Sequence, residues 1–393
     1  MSDDNFSIRS IFPLFLTALI DFIGFGIIIP IGPYYVEALG GTSLDFSILI
    51  VTYSIAQFIA SPYLGGLSDK YGRKRVLSIG LSGEILGYLL FALSPNLSLL
   101  FVSRAIIGVT SANLPVLYSF VSDKTDSRNR TKAIGFIGAA IGIGFVIGPA
   151  IGGLLSLVGF RVAILGAALL ATLNLALVQR LKEEVKRVKG RKYSRIGSFK
   201  SFPLIFLSIL TVGMGFTGLQ TTLAYYGQAL YSWTALVVGI ILAIVGIQQA
   251  IFQVILIPRL ESRIGPIKTV IVGILFFTTS FVILSFKNPQ YVIFVALSLF
   301  SLGYSLFQTP IISLISRDSS QGSRGMNLGI AQSAQSIANI FGPLIAGYLF
   351  YSVSRFAQYE ISAFLGVISL VFIILHLVRE GRRTSTKKID NEL

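Results

Sequence analysis

The chain has no cysteine, which rules out disulfides and thiolate metal sites. It has a single histidine, His376, near the end of an apolar run with no ligand cluster around it, so no metal site is expected. Charge is scarce. Asp, Glu, Lys and Arg make up 12% of 393 residues, about half the share in a soluble domain. There is no nucleotide-binding phosphate loop, no nucleophile–base set and no large polar domain, so neither an enzyme nor an ATP-driven pump is expected, and no cofactor. Segments of alternating apolar and polar residues are also missing, which argues against a β-barrel.

What is present is apolar. The hydrophobic fraction is 53% and the mean hydropathy +0.79. Repeated apolar runs of about 20 residues are long enough to cross a bilayer as helices. Twelve spans are expected, at 11–36, 46–66, 75–94, 98–121, 133–156, 160–180, 203–229, 234–257, 267–286, 290–315, 327–352 and 358–379. The first run is too long for a signal peptide. An even number of spans puts both termini on one side, and 28 of the 32 Lys and Arg residues then fall on that side. This bias marks the termini as cytoplasmic in a multi-pass plasma-membrane protein. It also accounts for the pI of about 10.0 without nucleic acid. The longest inner segment, Arg180 to Lys200, holds nine cations and two acids and suits an anionic leaflet. The expected organisation is a six-helix bundle over 1–180, a basic linker over 181–202, a second bundle over 203–380 and a cytoplasmic tail over 381–393.

The two halves repeat. Gly72 and Gly265 are 193 residues apart, Pro115 and Pro310 are 195 apart, and Pro149 and Pro343 are 194 apart. Two parallel halves of this kind imply a central binding site and an all-α protein of two pseudo-symmetric six-helix bundles.

Ionisable groups within spans are costly and are functional candidates. Asp21, Glu84 and Arg104 are the deep ones. By helical rise, Asp21 and Glu84 lie roughly 15 and 14 Å from the inner edge, and Arg104 roughly 9 Å from the outer edge. Asp21 and Arg104 are therefore within reach in depth if their spans adjoin. Burial opposes an ionised carboxylate and a nearby cation favours it, the opposing pulls a proton carrier needs. A static ion pair is the plainer alternative.

The stretch Gly65-Gly66-Leu67-Ser68-Asp69-Lys70-Tyr71-Gly72-Arg73-Lys74-Arg75 reads as a tight basic turn, with Gly65, Gly66 and Gly72 allowing close backbone approach. It resembles the loop between the second and third helices of major facilitator superfamily transporters. The first span, Ala18 to Pro30 with Asp21 inside it, is similar to the first-span motif of the twelve-helix drug:proton antiporters. Ser103-Arg104-Ala105-Ile106-Ile107-Gly108 resembles that family's Arg-x-x-x-Gly proton-transfer motif, with Ile107 where glutamine is common. Gly144, Gly148-Pro149 and Gly152-Gly153 follow the antiporter signature, although close helix packing alone explains glycines four apart.

The resemblance implies the major facilitator fold and efflux of a lipophilic or cationic small molecule, coupled to proton entry by alternating access. It implies a proton-coupling role for Asp21, Arg104 and Glu84, and a conformational latch of Asp69, Arg73 and Asp123 with Gly65 and Gly72. Asp69 can also face the start of the eleventh span near Gly325 and Met326. The second half has no deep acid, since Val212 stands where Asp21 does in the first. It offers neutral polar and aromatic groups instead. Gln220, Tyr225, Tyr226, Gln249, Gln308, Gln332 and Asn339, with Phe25 and Tyr34, are expected to line a cavity for an amphipathic molecule. Interhelical hydrogen bonds are the competing use of the same groups. The expected partners are that substrate, protons and the lipid bilayer, with the protein acting as a monomer. Proton-coupled nutrient uptake is one alternative. A transporter-like sensor or a lipid-handling protein is another.

Overall fold

The computed structural model describes residues 8–111, 113–125, 130–181, 203–318 and 324–392. The expected basic linker lies almost wholly outside them. Fourteen α-helices account for the described residues: α1 (Ile8–Ala38), α2 (Ser43–Tyr71), α3 (Arg73–Ala92), α4 (Leu97–Thr110), α5 (Asn113–Asp123), α6 (Arg130–Leu155), α7 (Phe160–Gln179), α8 (Pro203–Tyr231), α9 (Ala235–Ile251), α10 (Ile257–Ile264), α11 (Pro266–Leu284), α12 (Gln290–Asp318), α13 (Arg324–Ser352) and α14 (Ala357–Glu392). No strand occurs among the described residues. Helices are what a lipid-embedded chain requires, because each satisfies its own backbone polar groups. Eleven segments are long and apolar enough to cross a membrane. The twelfth, α13, is 29 residues long and more polar, carrying Gln332, Gln335 and Asn339. Large apolar side chains such as Ile79, Leu169, Val254 and Phe364 stand exposed on the outer helix faces, as lipid contact requires.

Two spans are interrupted, each next to a proline. The fourth breaks into α4, which ends at Thr110 and is capped by Ser111, and α5, which starts at Asn113. Pro115 has no N–H to give the Ser111 carbonyl four residues earlier, and its ring crowds that carbonyl. In the eighth, α9 and α10 are joined by a π-helical turn, Phe252–Leu256, closed by the Ile257 N–H on the Phe252 carbonyl. Pro258 lies just beyond, and the ladder shifts by one residue to avoid its missing donor. Pro310 bends no such break into α12, which runs through it.

The basic stretch is less of a turn than its glycines suggest. α2 continues to Tyr71, and Gly65 and Gly66 are helical with open space where a Cβ would be. They mediate no close approach. Gly72 alone turns the chain, at φ 99°, capping α2 through its N–H to the Ser68 carbonyl. Its counterpart Gly265 does the same at φ 81° before α11. α14 continues without a break through the tail to Glu392.

The chain forms two compact units, Met1–Lys192 with Leu223–Gly246, and Tyr193–Thr222 with Ile247–Leu393. In the first, Ile11, Leu14, Leu77, Leu117, Phe120 and Ile137 form a dry core at one end of the helices. The end of α8 and most of α9 join this unit through close contacts with α1 and α6. In the second unit, Phe277 stacks on Phe300, Phe281 meets both edge-on, and Tyr304 packs on Phe216 at 4.1 Å. The repeat is visible in the packing. Gly148 of α6 presses on Ile23 and Gly26 of α1, and Gly342 of α13 presses on Met214 and Thr217 of α8.

Candidate functional site

The first unit brings the two deep carboxyls together. Asp21 on α1 is half-buried, and Glu84 on α3 is 2% exposed. Their carboxyls face each other, close enough to share a proton. Sequence depth placed them level but did not pair them. Asn113, at the start of α5, donates from Nδ2 to Glu84 Oε1 at 2.8 Å and lies beside Asp21. Tyr53 of α2 lies beside the pair. Gln57, also of α2, donates from Nε2 to the Tyr53 hydroxyl at 2.8 Å and to the Ser111 carbonyl at 3.2 Å. That carbonyl is free because Pro115 cannot bond it. Gln57, Tyr53, Ser111 and Asn113 were missed in the sequence. Pro115 was the available signal, for it predicts the break that presents two of them.

Arg104 of α4 does not pair with Asp21. Among the described residues the ion pairs belong to Arg73. The Arg104 guanidinium lies over the Phe91 ring at 4.8 Å and nearer the edge of reach of Tyr53 at 6.0 Å. It is 5% exposed, and its Nε has no hydrogen-bond partner. Ring faces partly compensate a buried cation. Arg104 thus meets aromatic faces rather than the carboxyls. Matching depth did not amount to contact, because two aromatic residues take the guanidinium first.

The signature glycines join α6 to its neighbours. A Cβ on Gly144 would stand 2.7 Å from Phe22 Cβ, and one on Gly148 would stand 2.7 Å from both Gly26 Cα and the Ile23 carbonyl. Gly152 meets Ile27 in the same way, one helical turn on. Gly153 faces α9, where Gly239 approaches it and the Pro149 carbonyl. Two helix backbones are in van der Waals contact along this line. Asp21, Phe22 and Phe25 thereby sit on a helix whose position α6 sets. Phe25 packs on Tyr53 at 5.6 Å and edge-on to Phe145 at 5.9 Å.

At the end of α2, the latch residues are assembled around one side chain. Arg73 pairs with Asp69 at 2.5 Å and with Asp123 at 3.0 Å, and donates to Ser68 Oγ. Lys74 donates to the Gln179 carbonyl at the end of α7 at 2.6 Å, where a helix C-terminus favours a cation. Gly65 is not part of the contact; Gly72 supplies the turn. The side chain of Met326, beside Gly325, lies outside the described residues.

The expected cavity residues divide. Tyr34 donates to the Trp233 carbonyl at 2.7 Å, and Tyr225 donates to the Pro33 carbonyl at 3.2 Å. Both close the far end of α1 onto α8 and the turn that follows it, and Gln228 reinforces them by donating to Glu37 at 2.7 Å. Tyr34 also borders a surface cleft of ≈ 580 Å³ with Phe160 and Trp233. Tyr226 is fully buried against Tyr231, so its ring lines no open space. Its burial follows from the tight turn Gly227–Trp233, which folds aromatic rings over it. In the second unit, Gln220, Gln249, Gln308 and Asn339 are partly exposed and Gln332 is exposed. Gln335 donates to Asn339 at 3.1 Å, and Gln248 donates to Ser298 at 3.0 Å. Hydrogen bonding claims part of the set, as the competing reading had it. At the offset of the repeat, Val212 and Phe277 stand where Asp21 and Glu84 stand in the first half, and both are fully buried.

The sequence profile of the Major Facilitator Superfamily matches residues 14–247 and 205–392. Among curated relatives, the class H tetracycline resistance protein of Pasteurella multocida is 28% identical, over 97% of this chain and 98% of its own. Multidrug resistance protein 1 of Bacillus subtilis (strain 168) is 30% identical, over 86% of this chain and 88% of its own. Among solved structures, the nucleoside transporter NupG superposes with a TM-score of 0.75 at 15% identity, covering 94% of this chain and 99% of that one.

Proposed function

Since the chain belongs to the Major Facilitator Superfamily, we propose that this membrane transporter exports lipophilic or cationic small molecules in exchange for protons, by alternating access. The relatives named for tetracycline and multidrug resistance support the substrate class. The observation that carries the coupling is the carboxyl pair of Asp21 and Glu84 inside the spans. Two carboxyls this close hold a proton between them, since two bare anions would repel in a low dielectric. Asp21, the half-buried member, exchanges that proton with the aqueous path. Losing the proton leaves a negative site that attracts a cationic substrate; regaining it expels that substrate. Such mutual exclusion is antiport. The termini face the cytoplasm, on the side that holds most of the cations. Within the second unit, the partly exposed Gln220, Gln249, Gln308 and Asn339 and the exposed Gln332 bind the substrate. The 1–180 and 203–380 halves are the two moving bodies.

Purified protein in proteoliposomes tests the reading with a lipophilic cation such as ethidium. An inwardly acidic gradient should drive its accumulation, and a protonophore should stop it. Accumulation driven by the opposite gradient would make the protein a symporter, and flux indifferent to pH would remove the coupling.

The Arg73 cluster acts in the same cycle as a latch that holds α2, α3 and α5 together on the terminal side. Asp69 is 63% exposed, so its ion pair is worth only about 0.2–1 kcal/mol. Asp69→Asn should therefore shift the conformational equilibrium less than about fivefold and slow transport without unfolding the protein. Spin-label distances between the terminal-side ends of the helices check this. Distributions identical to wild type across pH would leave Asp69 no latch role.

A further inference from the structure

α8 is one unbroken helix, Pro203–Tyr231, yet it belongs to both compact units, which divide it between Thr222 and Leu223. Its first part is tied to helices of the second half. Thr217 donates to the Ala338 carbonyl of α13 at 3.1 Å, the Ser208 hydroxyl bonds that of Ser369 on α14, and Thr222 meets the Tyr359 hydroxyl. Its last part is tied to α1 instead. Tyr225 donates to the Pro33 carbonyl, Gln228 donates to Glu37, and Tyr34 donates to the Trp233 carbonyl in the turn beyond Tyr231. That turn is built to present its carbonyl. The Trp233 N–H bonds the Gly227 carbonyl at 3.2 Å, and the indole lies on Gly227 where a Cβ would overlap it. Ser232 is the only non-glycine at positive φ among the described residues, at 55°, a conformation kept only where the surroundings enforce it.

We propose that Tyr34, Tyr225 and Gln228 form the gate of the face remote from the termini, a clasp that opens once in each transport cycle. This rests on the two halves being the moving bodies. α8 is anchored in the second half, so rotation of that half carries its far end away from α1. The three bonds to α1 then break together. They suit repeated opening. The one charged member, Glu37, accepts from a neutral amide, and the other two bonds join neutral groups. Water replaces such partners at little net cost, so no ion pair has to be pulled apart. The cleft bordered by Tyr34, Gln228 and Trp233 brings that water up to the clasp. Each bond favours the closed state modestly, and the set fixes the balance between closed and open.

Trp233 is the single tryptophan of the chain and is 3% exposed, so its fluorescence reports on the clasp. Full-length protein in lipid nanodiscs is compared, without substrate or pH gradient, as wild type and as the double variant Tyr34→Phe with Tyr225→Phe. The variant loses two hydroxyl oxygens and no ring. Spin labels at Ala38 and Lys287, one in each half, follow the same face, and the chain has no cysteine to compete for them. Each lost hydrogen bond should raise the open population roughly two- to tenfold. Iodide quenching of Trp233 should rise with it, and the label distance should lengthen. Tyr291→Phe, at a ring 70% exposed on α12, should change neither. A double variant with wild-type label distances overturns the proposal, because a turn merely loosened around Trp233 would raise quenching alone. Should that variant fail to fold, cross-linking decides. Glu37→Cys and Gln228→Cys, joined by a short reducible linker, should cut ethidium transport at least tenfold, with recovery on reduction. Wild-type flux through the cross-linked protein would leave no gate there. Flux indifferent to pH yet stopped by the linker would reject proton-coupled efflux and keep the gate, and proton-driven flux that survives the linker would do the reverse.

Discussion

Asp21→Asn abolishes gradient-driven accumulation of substrate and leaves exchange of substrate for substrate nearly intact. The two expectations follow from one change. Asparagine keeps the size and much of the hydrogen bonding of the carboxyl, so the contacts with Glu84 and Asn113 persist in altered form and α1 stays packed on α6. What it removes is the ability to carry a proton. Glu84 remains, but it is 2% exposed and already accepts a hydrogen bond from Asn113. It is poorly placed to take over exchange with water. Net transport needs the protein to return with a proton, whereas exchange needs only the substrate-loaded forms to interconvert. Accumulation should fall at least a hundredfold, to the level of empty liposomes, if that return has no other route. Ethidium affinity should change by less than about tenfold, the factor equal to one lost interaction of about 1.4 kcal/mol. Undiminished accumulation in this variant would move the proton site elsewhere in the chain, and loss of binding together with transport would make Asp21 a substrate ligand.

Much of this arrangement was legible in the sequence because membrane helices leave strong one-dimensional marks. Apolar runs announced the spans, and glycines and prolines at one offset announced the repeat. The repeat even survives as contact, with Gly148 and Gly342 seated in equivalent places. Three features stayed hidden for physical reasons. Depth along a helix is readable, but azimuth is weakly so, and pairing Asp21 with Glu84 rather than with Arg104 depends on azimuth. Arg104 looked like a partner for an acid; two aromatic rings, Phe91 and Tyr53, took the guanidinium instead. The tyrosines at the far end of α1 and α8 look like cavity residues by composition. Their hydroxyls are committed to the carbonyls of Pro33 and Trp233, a fact fixed by where two helix ends meet and not by either segment alone. Gly65 and Gly66 erred the other way. A glycine pair beside a basic cluster suggests a turn, but neighbours with good helix propensity carried α2 through it, and Gly72 alone was needed.

Gly148→Val should cost the protein both stability and transport, and its size separates packing from flexibility as the role of the signature glycines. On a solvent-facing helix, replacing glycine by a residue with a side chain stabilises, by as much as about 1 kcal/mol for alanine. Gly142, six residues earlier on α6, has open space where its Cβ would go. Gly142→Ala is therefore expected to melt at or above the wild-type temperature and to transport normally. At Gly148 the same first atom would stand 2.7 Å from Gly26 Cα and from the Ile23 carbonyl. Those atoms are backbone, so no rotamer change relieves the overlap. α1 must move away from α6, and overpacking of this kind costs about 1–3 kcal/mol. The displacement is on the helix that carries Asp21 and Phe25, so the carboxyl pair loses its register as well. Transport should fall more than tenfold, the factor that 1.4 kcal/mol represents. Gly342→Val meets Met214 and Thr217 in the second unit, and should lose comparable stability. If glycine served α6 as a flexible joint, Gly142→Ala would impair transport as Gly148→Val does, and the melting temperatures would not divide the two. A packing role requires that they do, with the damage confined to the face of α6 that touches α1.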